Sequence, residues 1–267
     1  MKSKLRLVLL MWLALMGTVH ADTLDQIKKE GVLVVGVRNG MRPFGFIDKE
    51  KMELVGYDID FARAIAGKLG VKLQLKSSDA PLIPLLRQRK IDLIAGAMTK
   101  SIERMEQCDF SLTYFVTWQT FLVKKGAVKA LADLAGQKIG TGQNSTSERN
   151  LKKVLPNSTI VLFTNYREAF RALKWGSVSA VSTDETILVG LLAADPQKAA
   201  YEILDTRISN EPYGLGIRKG DRQFLEFVDR TLLELEQSGE AVKIYDKWFG
   251  KDSGLSIKRA FTITAGK

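Results

Sequence analysis

Arg38, Thr99, Arg104, Ser145, Thr146 and Asp184 carry groups that together would suit a small zwitterion. An arginine clamps a carboxylate through two parallel charge-assisted hydrogen bonds, and the hydroxyl of Thr99 lies only a few residues from Arg104. A helix beginning near Ser145 and Thr146 would add free backbone N–H groups, which also favour a carboxylate. Asp184 offers the opposite charge to an ammonium, and Phe44 or Phe46 could wall the pocket. Each residue has a plainer reading. Arg104 could be a surface residue beside Glu103 and Glu106, and Asp184 a helix N-cap with Glu185 in the first turn. Phe44 could be core, and Ser145 and Thr146 simple caps.

Other chemistries find less support. The sequence has 1 His (His20), which falls in the expected signal segment, and 1 Cys (Cys108), so it holds no Cys/His metal cluster, no internal disulfide and, in the mature chain, no histidine for a nucleophile–base pair. No cofactor is expected, and Cys108 reads as a small filler residue. Gly140-x-Gly142 lacks the later glycine of a dinucleotide loop. The formal net charge of +10 is scattered among acidic residues rather than gathered in a stripe with aromatics, which argues against a nucleic-acid partner.

The first residues read as a secretory signal. Lys2, Lys4 and Arg6 precede an apolar run from Leu7 to Gly17, and Val19-His20-Ala21 supplies small residues at the cleavage positions, placing the cut after Ala21. That run is short for a helix crossing about 30 Å of hydrocarbon. Removing residues 1–21 takes away three positive charges and no negative one, so the net charge falls from +10 to +7.

The elements that must position these residues follow a repeating pattern. Val32 to Val37 reads as a buried strand, and Gly56 to Gly70 as a helix with acidic residues at its start and a glycine at its stop. Val71–Leu75 reads as a strand, Pro81–Arg89 as a helix, Ile91–Ala97 as a third strand and Ser101–Glu106 as a short helix. A second round follows: strands Lys138–Thr141, Thr159–Phe163 and Val178–Ser182 alternate with helices Thr146–Val154, Tyr166–Trp175 and Asp184–Ala194. Helices Phe224–Leu235 and Ala241–Trp248 close the chain. Strand–helix alternation predicts an α/β fold with helix-covered sheets, and two rounds predict two lobes. The extended stretches Thr113–Lys125 and Ile208–Tyr213 are the candidate crossovers. The expected division is 22–116 with 213–267 for one lobe and 117–212, including the hinge strands, for the other. Ligands of open parallel sheets bind outside the carboxyl ends of the strands, and that rule collects the residues named above.

Longer stretches carry a resemblance. Val34-Val-Gly-Val37, Pro43-Phe44 and Val55-Gly-Tyr-Asp58 resemble the opening of extracellular solute-binding proteins of family 3, the amino-acid receptors of ABC importers. Asp92 to Thr99 with Glu103-Arg104 and Asp109-Phe-Ser111 is similar to that family's central signature, and Tyr213 to Lys219, Ser238 to Ala241 and Lys247 to Phe249 to its closing motifs. Within it, Ser145-Thr-Ser-Glu148, Ala169 to Leu173 and Glu211-Pro-Tyr-Gly214 resemble the glutamate/aspartate-binding branch.

The resemblance implies a two-lobed periplasmic binding protein fold of type II, joined by two crossover strands. It implies a periplasmic monomer that binds a free polar or acidic amino acid, with glutamate or aspartate favoured, and delivers it to a permease in the inner membrane. By the same token Arg104, helped by Thr99, would hold the ligand α-carboxylate and Asp184 the α-ammonium. Ala97 and the Ser145-Thr146 turn would add hydrogen bonds, and Arg38 would reach the side chain. The departures fall where specificity is set. The branch carries an arginine where Leu82 stands before Ile83-Pro-Leu-Leu86, a histidine near Tyr166 is missing, and Asn144 replaces a glycine. Binding without catalysis is the expected role. The alternatives are a dehydratase for prephenate- or arogenate-like acids, using Asp184 or Glu185, and a ligand sensor for a membrane receptor.

Overall fold

Residues 23–48 and 50–265 are described by the computed structural model, so the expected signal segment and its cut after Ala21 lie outside the described residues. Helix α1 (Thr23–Glu30) leads into strand β1 (Val32–Val37), which is buried at Leu33 and from Val35 to Val37 and partly buried at Val32 and Val34. An antiparallel hairpin sheet follows: β2 (Gly40–Met41), β3 (Gly45–Asp48) and β4 (Glu53–Val55). Helix α2 (Tyr57–Leu69) ends on Gly70 at φ 70, the left-handed cap that glycine adopts most readily. Then come β5 (Lys72–Ser77), α3 (Leu82–Arg87), β6 (Leu93–Ala95), α4 (Ile102–Met105) and β7 (Cys108–Phe110).

The second round is β8 (Phe115–Lys124), β9 (Lys138–Gly142), α5 (Thr146–Val154), β10 (Thr159–Phe163), α6 (Tyr166–Trp175), β11 (Ala180–Asp184), α7 (Glu185–Ala193) and β12 (Tyr201–Ile203). The chain returns through β13 (Ser209–Tyr213) and β14 (Gly216–Arg218) and ends on α8 (Arg222–Gln237) and α9 (Glu240–Phe249).

These strands make two main sheets. The first runs β5-β1-β6-β14-β7, with β5, β1 and β6 parallel. The second runs β10-β9-β11-β8-β12, with β10, β9 and β11 parallel and β13 added along β8. The chain crosses between the lobes at β8 and β13, which pair antiparallel from Phe115↔Tyr213 to Gln119↔Ser209. The two crossovers are therefore bonded to each other along their length.

An aromatic cluster fills the space beside these crossovers. Phe44 is fully buried, with ring centroids 4.8 Å from Phe115, 5.3 Å from Tyr213 and 5.5 Å from Phe249. Burying each such ring contributes about 1.5–3 kcal/mol. The phenylalanine expected to wall the cleft therefore belongs to the hinge core. Phe46 also faces inward, stacked edge-on to Trp248 at 5.7 Å.

Two boundaries differ from expectation in a way that shapes the site. The strand expected over Ile91–Ala97 is cut to Leu93–Ala95. Asp92 turns its carboxylate to the Val34 N–H and to Arg218, and Ala97 takes a left-handed φ of 48. The strand expected to end at Ser182 runs on to Asp184, which both ends that strand and stands at the N-cap position of the helix beginning at Glu185.

Candidate functional site

A cleft of about 110 Å³ opens where β1, β6, β9, β10 and β11 present their carboxyl ends. Arg38, Leu82, Ala97, Thr99, Arg104, Ser145, Thr146, Tyr166 and Asp184 all line it, so the two lobes bring together every expected site residue except Phe44. Met41 and Ile187 supply apolar wall in its place. A larger surface groove of about 600 Å³ beside Arg87, Arg89 and Arg222 lies elsewhere, and its inner arginine, Arg218, is already held by Thr23, Asp92 and the Ile91 carbonyl. Size does not select the site; the cleft at the strand ends has the matched charges.

Arg104 projects from α4 and donates from Nη1 to the Thr99 carbonyl at 3.0 Å. Among the described residues no carboxylate lies within ion-pair distance of it. Burial, followed by the neighbouring Arg149, lowers its pKa. A desolvated guanidinium with donors to spare is what an incoming carboxylate would stabilise.

Thr99 does not help as expected. Its hydroxyl donates to the buried carboxylate of Glu211 at 2.6 Å, so its proton is not available to a ligand anion. Ser145 is also turned inward, donating to the Gly142 carbonyl at 2.6 Å and accepting from the Glu148 N–H at 3.1 Å. Its hydroxyl is a helix cap. What the turn offers a ligand is the start of α5, with Thr146 on the cleft wall and N–H groups of the first turn free of helix partners. Asn144 before it stands at φ 58, a left-handed position that asparagine tolerates better than most residues, which accounts for the tolerated loss of glycine.

Asp184 resolves its own ambiguity. It precedes α7 yet makes no side-chain cap bond. Oδ2 accepts from the Tyr213 hydroxyl, and Oδ1 is buried with no hydrogen-bond partner among the described residues. Burial, then the charge of Glu211, pushes its pKa up to about 7. A buried acceptor left open is costly, and an ammonium would satisfy it. Tyr166 lies nearby; burial first, and the Asp184 charge second, raise its hydroxyl pKa.

Ala97 contributes less than expected. Its N–H donates to Asp58 Oδ2 at 2.7 Å, leaving only its carbonyl for the cleft. Asp58 reads from sequence as a favourable helix start, but it is 1% exposed and also accepts from the Tyr114 hydroxyl at 2.5 Å. It pins the left-handed turn that carries Ala97 to Thr99. Glu211 is the other residue that sequence reasoning missed. It is 2% exposed on β13 and accepts from Thr99 and Asn150, linking the hinge strand to both lobes. The only signal for either was membership in the Gly-Tyr-Asp and Glu-Pro-Tyr-Gly stretches.

At the side-chain end, Arg38 Nη1 holds the Ser78 and Ala80 carbonyls at 2.8 and 2.9 Å, while its Nε is buried without a partner. Burial lowers its pKa, and Asp79 opposes that. Leu82 is 3% exposed and lies with the Arg38 stem against Gly96, so this wall is apolar. Cys108 is buried below, where burial pushes its thiol up to about 11. Such a thiol is inert near neutral pH. Glu185 does not line the cleft.

Comparison with known proteins gives the family and the fold. The family model of bacterial extracellular solute-binding proteins, family 3, matches residues 33–251. A glutamine-binding protein of Geobacillus stearothermophilus is 38% identical over 216 residues, covering 79% of this chain and 81% of the relative. The glutamate/aspartate import solute-binding protein of Escherichia coli (strain K12) is 35% identical over 241 residues, covering 85% and 80%. An ancestral arginine-binding protein solved with bound glutamine superposes with a TM-score of 0.78 at 43% identity, covering 82% of this chain and 98% of that one.

Proposed function

Since the chain belongs to the bacterial extracellular solute-binding proteins, family 3, we propose that it captures a free polar amino acid by lobe closure and delivers it to an ABC permease in the inner membrane. It does so as a periplasmic monomer, after removal of residues 1–21. The observation that carries this reading is a pair of facing, incompletely satisfied groups in one cleft: Arg104 has no carboxylate within ion-pair distance among the described residues, and Asp184 Oδ1 is buried with no hydrogen-bond partner among them. They match the two charges that every α-amino acid shares.

Side-chain recognition favours a carboxamide over the acidic ligand expected from the resemblance. Leu82 cannot bind a second carboxylate, and Asp79 on the cleft wall would repel one. A glutamine side chain would accept from Arg38 and donate to Asp79. The glutamine-binding relative is consistent with this choice.

A thermal-shift titration of residues 22–267, stripped of co-purified ligand, tests it. At a glutamine concentration of 100 Kd the stabilisation is about 2.7 kcal/mol, a rise in melting temperature of about 5–10 °C for a chain this size. Glutamate and aspartate will give smaller shifts. A larger shift with glutamate, or with arginine through Asp79, would replace the carboxamide assignment and keep the receptor. Leu82→Arg will move the preference towards glutamate by about ten- to a hundredfold in the ratio of dissociation constants, the range of one hydrogen bond to a charged group.

A catalytic reading retains one residue. Asp184, raised to about 7, has the protonation behaviour of a general acid near neutral pH. Dehydration of prephenate-like acids by the purified chain, abolished in Asp184→Asn, would establish it; absence of turnover leaves Asp184 as an ammonium ligand.

A further inference from the structure

Gly190 sits inside helix α7, where glycine is among the poorest helix formers. The reason lies across the lobe boundary. A Cβ at this position would stand 2.1 Å from the Arg42 carbonyl oxygen and 2.6 Å from its carbonyl carbon, with Pro43 Cδ at 3.1 Å. Arg42 and Pro43 belong to the turn between β2 and β3 of the first lobe, whereas α7 packs on the second sheet. The obstacle is backbone, which cannot rotate aside as a long side chain can.

The lobes also touch elsewhere. Arg149, on α5, donates to Ser101 Oγ at 3.3 Å and lies 3.7 Å from Glu103, both on the first lobe. That contact is between half-exposed, flexible side chains and is worth little. The contact at Gly190 is rigid.

We infer that Gly190 is a closure-permitting residue: its bare Cα lets the hairpin turn seat on α7, and any side chain there holds the lobes apart. It touches no ligand and acts by positioning the first lobe's contribution to the cleft against Asp184 and Thr146. The inference rests on the reading of this chain as a hinge-closing receptor.

Gly190→Ala provides the test, with Gly67→Ala as its match. Gly67 is also inside a helix, but a Cβ there meets nothing within 4 Å. Both variants gain helix propensity, so both will keep or raise the melting temperature of the unliganded protein. With glutamine as probe, wild type and Gly67→Ala will contract in small-angle X-ray scattering and bind alike. Gly190→Ala will remain expanded and bind at least tenfold more weakly. Equal contraction and affinity in Gly190→Ala would overturn the inference. So would a lower unliganded melting temperature in Gly190→Ala alone, because Gly190 would then be an ordinary packing residue of the open form. A wild type that neither binds nor contracts with any amino acid would fail the receptor reading and remove this inference with it. That failure is recognised from the wild-type arm alone.

Discussion

Arg104→Ala will weaken amino-acid binding by about two to three orders of magnitude and leave the unliganded fold intact. The loss follows from removing one side of a buried, hydrogen-bonded charge pair, which costs about 2–5 kcal/mol or more. The stability half of the prediction is specific to this structure. In this structure Arg104 donates a hydrogen bond to the Thr99 carbonyl and has no ion pair among the described residues, while burial lowers its pKa. Its removal therefore takes away a desolvated charge that no ion pair among the described residues offsets. Calorimetric titration and urea denaturation of wild type and variant measure the two halves. An affinity within a few-fold of wild type would mean that the carboxylate is held elsewhere.

Asp184→Asn will reduce affinity by a comparable factor and flatten its pH dependence. In this structure burial and the charge of Glu211 push the carboxyl up to about 7. The groups facing it are Tyr213, Glu211, Tyr166 and Arg104. A bound ammonium favours the carboxylate, so binding draws the pKa down and releases a proton wherever the empty protein held one. The binding stabilisation is thus complete above about pH 7 and is lost as pH falls, approaching tenfold per unit. Proton release measured by calorimetry in buffers of different ionisation enthalpy reads this directly, and in Asp184→Asn it will vanish between pH 5 and 7. A wild-type affinity unchanged from pH 7 to 5 would remove Asp184 from ammonium recognition.

The sign for folding is opposite. Asp58 and Asp184 both stand at about 7 in the fold, above the ordinary carboxylate range, so the folded chain binds more protons than the unfolded one between about pH 4 and 7. Their contribution to stability is present at low pH and falls away as pH rises through 7. Ligand binding at Asp184 works against this decline, which ties the receptor's stability to its occupancy.

Much of this architecture is legible in the sequence because its signals are local. The β-branched run at Val32–Val37, the Gly70 stop and the helix over Tyr166–Trp175 need no tertiary information. The two-residue and three-residue strands β2 and β4 are too short for any alternation to show. Strand β6 is shorter than its apolar pattern because the Asp92 side chain and the left-handed Ala97 interrupt it, and both depend on partners distant in sequence. The same division holds in the cleft. The strand-end rule collects Arg38, Thr99, Arg104, Thr146 and Asp184, which line one cleft. It cannot say which hydroxyls still have a free proton. Thr99 and Ser145 are occupied by Glu211 and by the α5 cap, and Phe44 is drawn into the hinge core by Phe115 and Tyr213. Each of these outcomes is decided by a long-range or capping partner and not by residue type.

The central claim is that this cleft reads the two backbone charges of an amino acid through Arg104 and Asp184. Isothermal titration of the ligand-free protein with glutamine, with its analogue lacking the α-ammonium and with its α-carboxamide tests that most directly. Glutamine should bind, and each analogue should bind at least a hundredfold more weakly; an analogue that binds within a few-fold of glutamine would contradict the assignment of the charge it lacks.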